Sequence, residues 1–162
     1  MYSQSTEPNP KTVVKTTIII HLALLIGQVL FMGMSIVATQ NAALQTVVGS
    51  NPLFFILLAL IIGGVFIGTF LYRKTLSQAA DKPTLKAKLA VYQTASIIRW
   101  AMSEGASLFG IVCFLITSNY FYLCVTAVNV LYFVLIRPTK LKIQEDLNLD
   151  YQEQAEMEGN TV

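Results

Sequence analysis

From Thr16 to Tyr72 the chain carries no Asp, Glu, Lys or Arg, an interval of 57 residues. A helix crossing the roughly 30 Å hydrocarbon core of a bilayer needs about 20 apolar residues. The interval therefore holds two spans, expected at residues 18–38 and 53–72, with a polar, uncharged loop at 39–52. Asn51-Pro52 is a natural start for the second helix, because proline at the first helical position forfeits no hydrogen bond. Composition agrees. Of 162 residues 54% are apolar and only 12% charged, against roughly 25% charged in a soluble domain. Mean hydropathy is +0.60. A soluble globular fold of this size cannot hide that much apolar surface. Disorder and nucleic-acid binding both require charge and are excluded with it.

A second charge-free interval runs from Gly105 to Ile136, 32 residues, interrupted by the turn signal Thr117-Ser118-Asn119. The 17 residues after the turn suffice for a span at 120–136. The 12 before it cover only about 18 Å as a helix. The third span must therefore start near Ile97, at 97–117, which puts Glu104 inside the bilayer and Arg99 near its edge. The expected fold is all-α, an integral membrane four-helix bundle at residues 15–137 with a cytoplasmic loop at 73–96. Residues 1–14 are expected to be a disordered N-terminus and 138–162 an acidic tail.

All 11 Lys and Arg fall before the first span, between the second and the third (Arg99 just inside it), or after the fourth. The positive-inside rule then places both termini in the cytoplasm. Asp81-Lys82-Pro83-Thr84 is a helix-start signal, and the pattern is helical from Thr84 to Thr117. It fits one long helix or an interfacial segment that turns into the span. Pro138 stops the fourth helix. The six acidic residues from Glu145 to Glu158 follow without a basic partner. The first apolar stretch is too long for a signal-peptide core.

Lipid gives apolar side chains no reason to meet, so helices there associate through small residues and interhelical hydrogen bonds. The third span carries such a face at alternating four and three spacing: Tyr92, Ser96, Arg99, Ser103, Ala106, Gly110, Cys113 and Thr117. Helix packing is expected at Ser103, Gly110 and the Gly64-x-x-x-Gly68 pair. Arg99 and Trp100 are expected as anchors at the membrane interface. Counting 1.5 Å per residue, Glu104 and Asn129 lie about 10 Å from the inner boundary, His21 roughly 5 Å and Gln28 near the middle. These four form the candidate intramembrane polar cluster, a possible proton or cation site. An ionised carboxylate at that depth is costly, about 2.5–3.5 kcal/mol on insertion scales.

Residues 104–112 locally resemble the carboxylate helix of rotary ATPase ring subunits, through Glu104, Leu108, Phe109, Gly110 and Val112. In that family the glutamate holds the proton or sodium ion, which implies that role for Glu104. The family's glycine-rich partner helix has no counterpart in this chain. The larger pattern, four spans, Arg99-Trp100 followed by Glu104-Gly105, and an acidic tail, is similar to small uncharacterised bacterial inner-membrane proteins. That resemblance implies an architecture and no activity.

Cys113 and Cys124 define neither a disulfide framework nor a metal site, and no phosphate loop, metal motif or nucleophile motif is present. No cofactor is expected, and an enzyme is not. The first functional expectation is a structural or accessory membrane subunit, partnered by the lipid bilayer and by its own copies or a larger membrane complex. The alternative is a proton- or cation-translocating protein using Glu104.

Overall fold

The structure, a computed structural model, describes residues 9–43 and 51–158. Six α-helices follow in order: α1 Pro10–Ala38, α2 Pro52–Leu76, α3 Leu85–Thr117, α4 Tyr120–Leu135, α5 Lys140–Asp146 and α6 Tyr151–Glu158. A 3-10 turn, Ser77–Ala79, follows α2 directly. Half of the expected loop at 39–52, residues 44–50, lies outside the described residues, as do residues 1–8 and 159–162.

Side-chain caps start these helices. Asn9 accepts from the Lys11 amide at 3.1 Å and Asn51 from the Leu53 amide at 3.1 Å, each with proline next in the chain. Thr84 accepts from Ala87 and Asn119 from Phe121. Each satisfies an amide that the first helical turn leaves without a partner. α3 ends where Ser118 turns left-handed, at φ 51°, and α4 ends just before Pro138.

α1, α2 and α3 are each long and apolar enough to cross a membrane. α4 has 16 residues, about 24 Å, and reaches that standard only together with α5, from which it is bent by 76°. α3 has 33 residues, about 50 Å. It is one continuous helix, so the stretch after Thr84 is not a separate interfacial segment.

α3 is the hub against which α1, α2 and α4 all pack. Burial in α1 is inverted relative to a soluble fold, while α2, α3 and α4 also bury Leu57, Phe114 and Phe133. In α1 the buried residues are Val14, Thr17, His21, Gln28 and Ser35, four of them polar. Its outward residues include Ile19, Val29, Leu30, Met34 and Val37, each more than half exposed. Phe66 and Phe70 of α2 and Leu131 and Leu135 of α4 are exposed too. An apolar exterior around a polar interior is the arrangement that lipid favours. Val14, His21, Gln28 and Ser35 repeat every seven residues, the period that keeps one seam of a helix facing its neighbour.

Two expectations are corrected. Pro10–Val14 is not disordered, because the Asn9 cap and Pro10 start α1 there. The acidic tail expected at 138–162 is folded over its described part, residues 138–158, because α5 and α6 fold back. Ile143, Leu147, Leu149 and Met157 are buried with Val14, Tyr72, Leu85, Leu89, Tyr92 and Ala95. The first residues of α1, the end of α2, the start of α3 and the C-terminal pair thus meet at one end. This basic end carries Arg73, Lys74, Lys86, Lys88, Lys140 and Lys142.

Glycines set the closest approaches. A methyl group at Gly64 would stand 3.0 Å from the Met102 carbonyl oxygen, and one at Gly68 3.6 Å from Arg99 Cα. At Gly110 it would overlap the Thr126 hydroxyl and press on Leu57 Cδ1 at 3.2 Å. We expect Gly110→Ala to destabilise the protein in detergent by about 1–3 kcal/mol, the cost of overpacking. Adding Thr126→Ala should recover part of that loss, so thermal unfolding of the double variant will be less than additive.

Candidate functional site

The face foreseen on α3 is realised as a buried polar column. Tyr92, Ser96, Arg99, Ser103, Ala106, Ser107, Gly110 and Cys113 all turn inward. Thr117 remains partly exposed at the far end and donates to the Cys113 carbonyl.

Asn129 of α4 occupies the middle of the column. Its Nδ2 donates to the Ser103 carbonyl at 2.8 Å and to Ser107 Oγ at 2.9 Å. These bonds tie α4 to α3 through both backbone and side chain. Gln28 of α1 is fully buried, and neither its amide nitrogen nor its oxygen has a partner. Closer to the basic end, His21 of α1 is wedged between aromatic rings. It stacks on Phe133 with centroids 4.6 Å apart and meets Trp100 edge-on at 4.9 Å. Its Nε2 lies 3.0 Å from the Phe133 carbonyl. A carbonyl only accepts, so Nε2 carries the proton.

Arg99 holds the next level. Its guanidinium carbon sits 3.8 Å from the centre of the Tyr72 ring, a cation–π contact of about 2 kcal/mol when desolvated. The Tyr72 hydroxyl donates to Asp146 Oδ2 of α5 at 2.5 Å. The Lys88–Glu153 ion pair, also at 2.5 Å, fastens α6 to the start of α3. Burial lowers the Lys142 ammonium below the ordinary lysine range, with Arg99 adding to the shift and Asp146 opposing it.

The column is under-satisfied. Nine buried side-chain nitrogen and oxygen atoms find no hydrogen-bond partner among the described residues, on Gln28, Tyr92, Ser96, Arg99, Trp100, Ser103 and Asn129. Each such atom costs about 1–3 kcal/mol in a soluble interior.

The four residues expected to form one polar cluster divide. His21, Gln28 and Asn129 are buried in the interior. Glu104 is not with them. It is half-buried, follows exposed Ala101 and precedes exposed Gly105 and Leu108 on α3, and makes no hydrogen bond or ion pair among the described residues. Equal depth does not imply contact: Glu104 stands at the edge of the inward face, about 60° around the helix from Ser107, and no hydrogen bond joins it to the column among the described residues. The anchor roles of Arg99 and Trp100 are corrected as well. Arg99 is 7% exposed and Trp100 not at all, because both face neighbouring helices instead of a headgroup layer.

Sequence reasoning missed the contacts that bind the C-terminal helices, Tyr72 to Asp146 and Lys88 to Glu153. Their signal was Ile143 and Leu147, an apolar pair four apart inside an acidic run. Cys113 is buried, Cys124 is exposed, and both are free thiols. Among the described residues no group of three His, Cys, Asp or Glu could hold a metal ion. No known family, curated protein or solved structure matches the chain.

Docking of α5 should depend on pH through Lys142. A lysine whose folded pKa is depressed binds fewer protons folded than unfolded, so stability rises with pH in that window. The window runs from the lowered folded value up to the ordinary 10.5. Protection of α5 from proteolysis should therefore increase as the pH is raised toward the ordinary lysine value of 10.5. Lys142→Met should be better protected at pH 8 and lose the increase.

Proposed function

We propose that this is a small multi-pass membrane protein that works by association: a structural or accessory subunit that joins its own copies or a larger membrane complex. The observation that carries the reading is Glu104. It is half-buried at the edge of the inward face of α3, between exposed Ala101 and Leu108 and buried Trp100 and Ser107, and has no hydrogen-bond or ion-pair partner among the described residues. A polar group facing lipid is costly, and a second helix that hydrogen-bonds it removes the cost. The neighbouring surface suits close approach. Ala59, Gly63, Ala101 and Gly105 line a groove of about 330 Å³ between α2 and α3, and a methyl group at Gly63 or Gly105 would touch nothing.

The distribution of Lys and Arg supports placing the basic end, with both termini, on the cytoplasmic side of a plasma membrane, the inner membrane in a bacterium. α4 then serves as a short fourth span, and the bilayer thins or α4 draws on flanking residues to accommodate it. The translocation reading, with Glu104 relayed by His21, Gln28 and Asn129, draws less support. It needs Glu104 bonded to the column, and no hydrogen bond or ion pair joins the two among the described residues.

Glu104→Gln keeps a hydrogen-bonding group and should leave assembly intact. Glu104→Leu should weaken it about 3- to 30-fold, the range given by 0.6–2 kcal/mol per interhelical hydrogen bond. Native mass in mild detergent, with disulfide cross-linking through Gly105→Cys, measures this. Equal assembly in wild type and Glu104→Leu would sink the proposal. So would loss of a transport activity in both variants with assembly unchanged.

A further inference from the structure

The level of the column at Arg99 differs chemically from the rest. Its unpartnered atoms are two guanidinium nitrogens and the Trp100 indole nitrogen, while the Tyr92 hydroxyl is within reach of the Ser96 and Tyr72 hydroxyls. The first three can only donate, and the hydroxyls can donate. Unpartnered atoms that only accept are absent from this level. The unpartnered amide oxygens belong to Gln28 and Asn129, further along the column. All four residues are at least nine-tenths buried. Tyr92, Ser96 and Arg99 are spaced four and three apart, so they share one face of α3. Asp146 is the carboxylate on the element capping this end. It accepts from the Tyr72 hydroxyl, and no ion pair joins it to Arg99 within 4.0 Å among the described residues. The level therefore holds a buried positive charge and a surplus of donors.

A way in exists on the same side. A pocket of about 420 Å³ opens at the basic end between the 3-10 turn and α5, lined by Arg73, Ser77, Lys88, Asp146 and Asn148 among others. Asp146 is part of its wall. Tyr72 bonds Asp146 by its hydroxyl and supports Arg99 with its ring face. The Tyr72–Asp146 pair thus separates the pocket from the guanidinium. Arg73, at the rim, has no partner among the described residues, and its charge raises the local concentration of anions.

We propose that Arg99 binds a small monovalent anion within the bundle, reached from the basic-end pocket past the Tyr72–Asp146 hydrogen bond. A halide and a short carboxylate share the required chemistry, a single negative charge and acceptor-only surface. A cation is opposed by the guanidinium. Water could satisfy the N–H groups but adds no negative charge beyond that of Asp146 on the far side of the Tyr72 ring.

Trp100 is the single tryptophan of the chain and follows Arg99 directly, so its emission reports on the site. The full-length protein in detergent would be titrated with iodide, a heavy-atom quencher, at constant pH and with gluconate holding ionic strength. Saturable quenching is expected, competed by chloride, by acetate or by both, which identifies the source of the anion. Caesium, a cationic quencher, should have no saturable effect. Arg99→Gln should reduce the apparent affinity for iodide at least about tenfold. Tyr72→Phe should speed the onset of quenching in a stopped-flow experiment. Quenching that is linear in iodide, or equal in wild type and Arg99→Gln, overturns the proposal and leaves water only at Arg99. If Arg99→Gln does not fold, the wild-type melting temperature decides. A rise that saturates with iodide, chloride or acetate but not gluconate supports the site, and identical melting in all four salts refutes it.

Discussion

The fold depends on what α3 offers to three different neighbours. In water a helix can be held by a stripe of leucines, because burying them is favourable on its own. In hydrocarbon that gain vanishes, and packing contacts and hydrogen bonds are what remain. α3 provides both. To α2 it presents Met102 and Arg99 backbone, approached by Gly64 and Gly68. To α4 it presents the Ser103 carbonyl and the Ser107 hydroxyl, both taken by Asn129. To α1 it presents Trp100, against which His21 packs. The column is therefore more than a row of polar residues that happen to be buried. It is the means by which the helices recognise one another.

The basic end obeys different rules. There the chain packs as a soluble protein does, with Leu85, Leu89, Ile143, Leu147, Leu149 and Met157 forming an apolar cluster. Two polar contacts, Tyr72 with Asp146 and Lys88 with Glu153, orient the C-terminal helices over this cluster. The capping pair is thus held by forces unlike those that hold the spans. Changes in salt or pH act on its ion pair and on Lys142 while leaving the Asn129 contacts untouched.

Much of the fold was legible because charge is so unevenly spread. The absence of Asp, Glu, Lys and Arg from Thr16 to Tyr72 predicts two apolar helices, and Asn51-Pro52 and Thr84 start α2 and α3 as read. The inward face of α3 was legible as well, since small and polar residues at four-three spacing are a signal at single-residue resolution. The C-terminal helices were not. Net acidity masked Ile143 and Leu147, whose partners Leu85 and Leu89 lie more than fifty positions earlier in the chain. Trp100 misled for a related reason. Tryptophan suits both a headgroup layer and a packed aromatic cluster, and only the position of His21 on another helix decides between them.

The separation of Glu104 from Arg99 has a consequence for how the two ionisable side chains of the third span are read. Five residues apart, they could have formed a compensating pair, and a charge pair buried in lipid is most simply explained as mutual neutralisation. Five residues also rotate a helix by about 140°. Arg99 therefore lies inside, over Tyr72, while Glu104 lies at the edge of the inward face beside Gly105. Neither neutralises the other, so each needs an account of its own. For Arg99 that account lies within the chain and its basic-end pocket. For Glu104 the proposed account is a helix of another chain on the adjoining surface. The two sites are separable by mutation because one backbone holds them on different sides of the helix. A variant that affected both would point to a defect in α3 itself and to neither site.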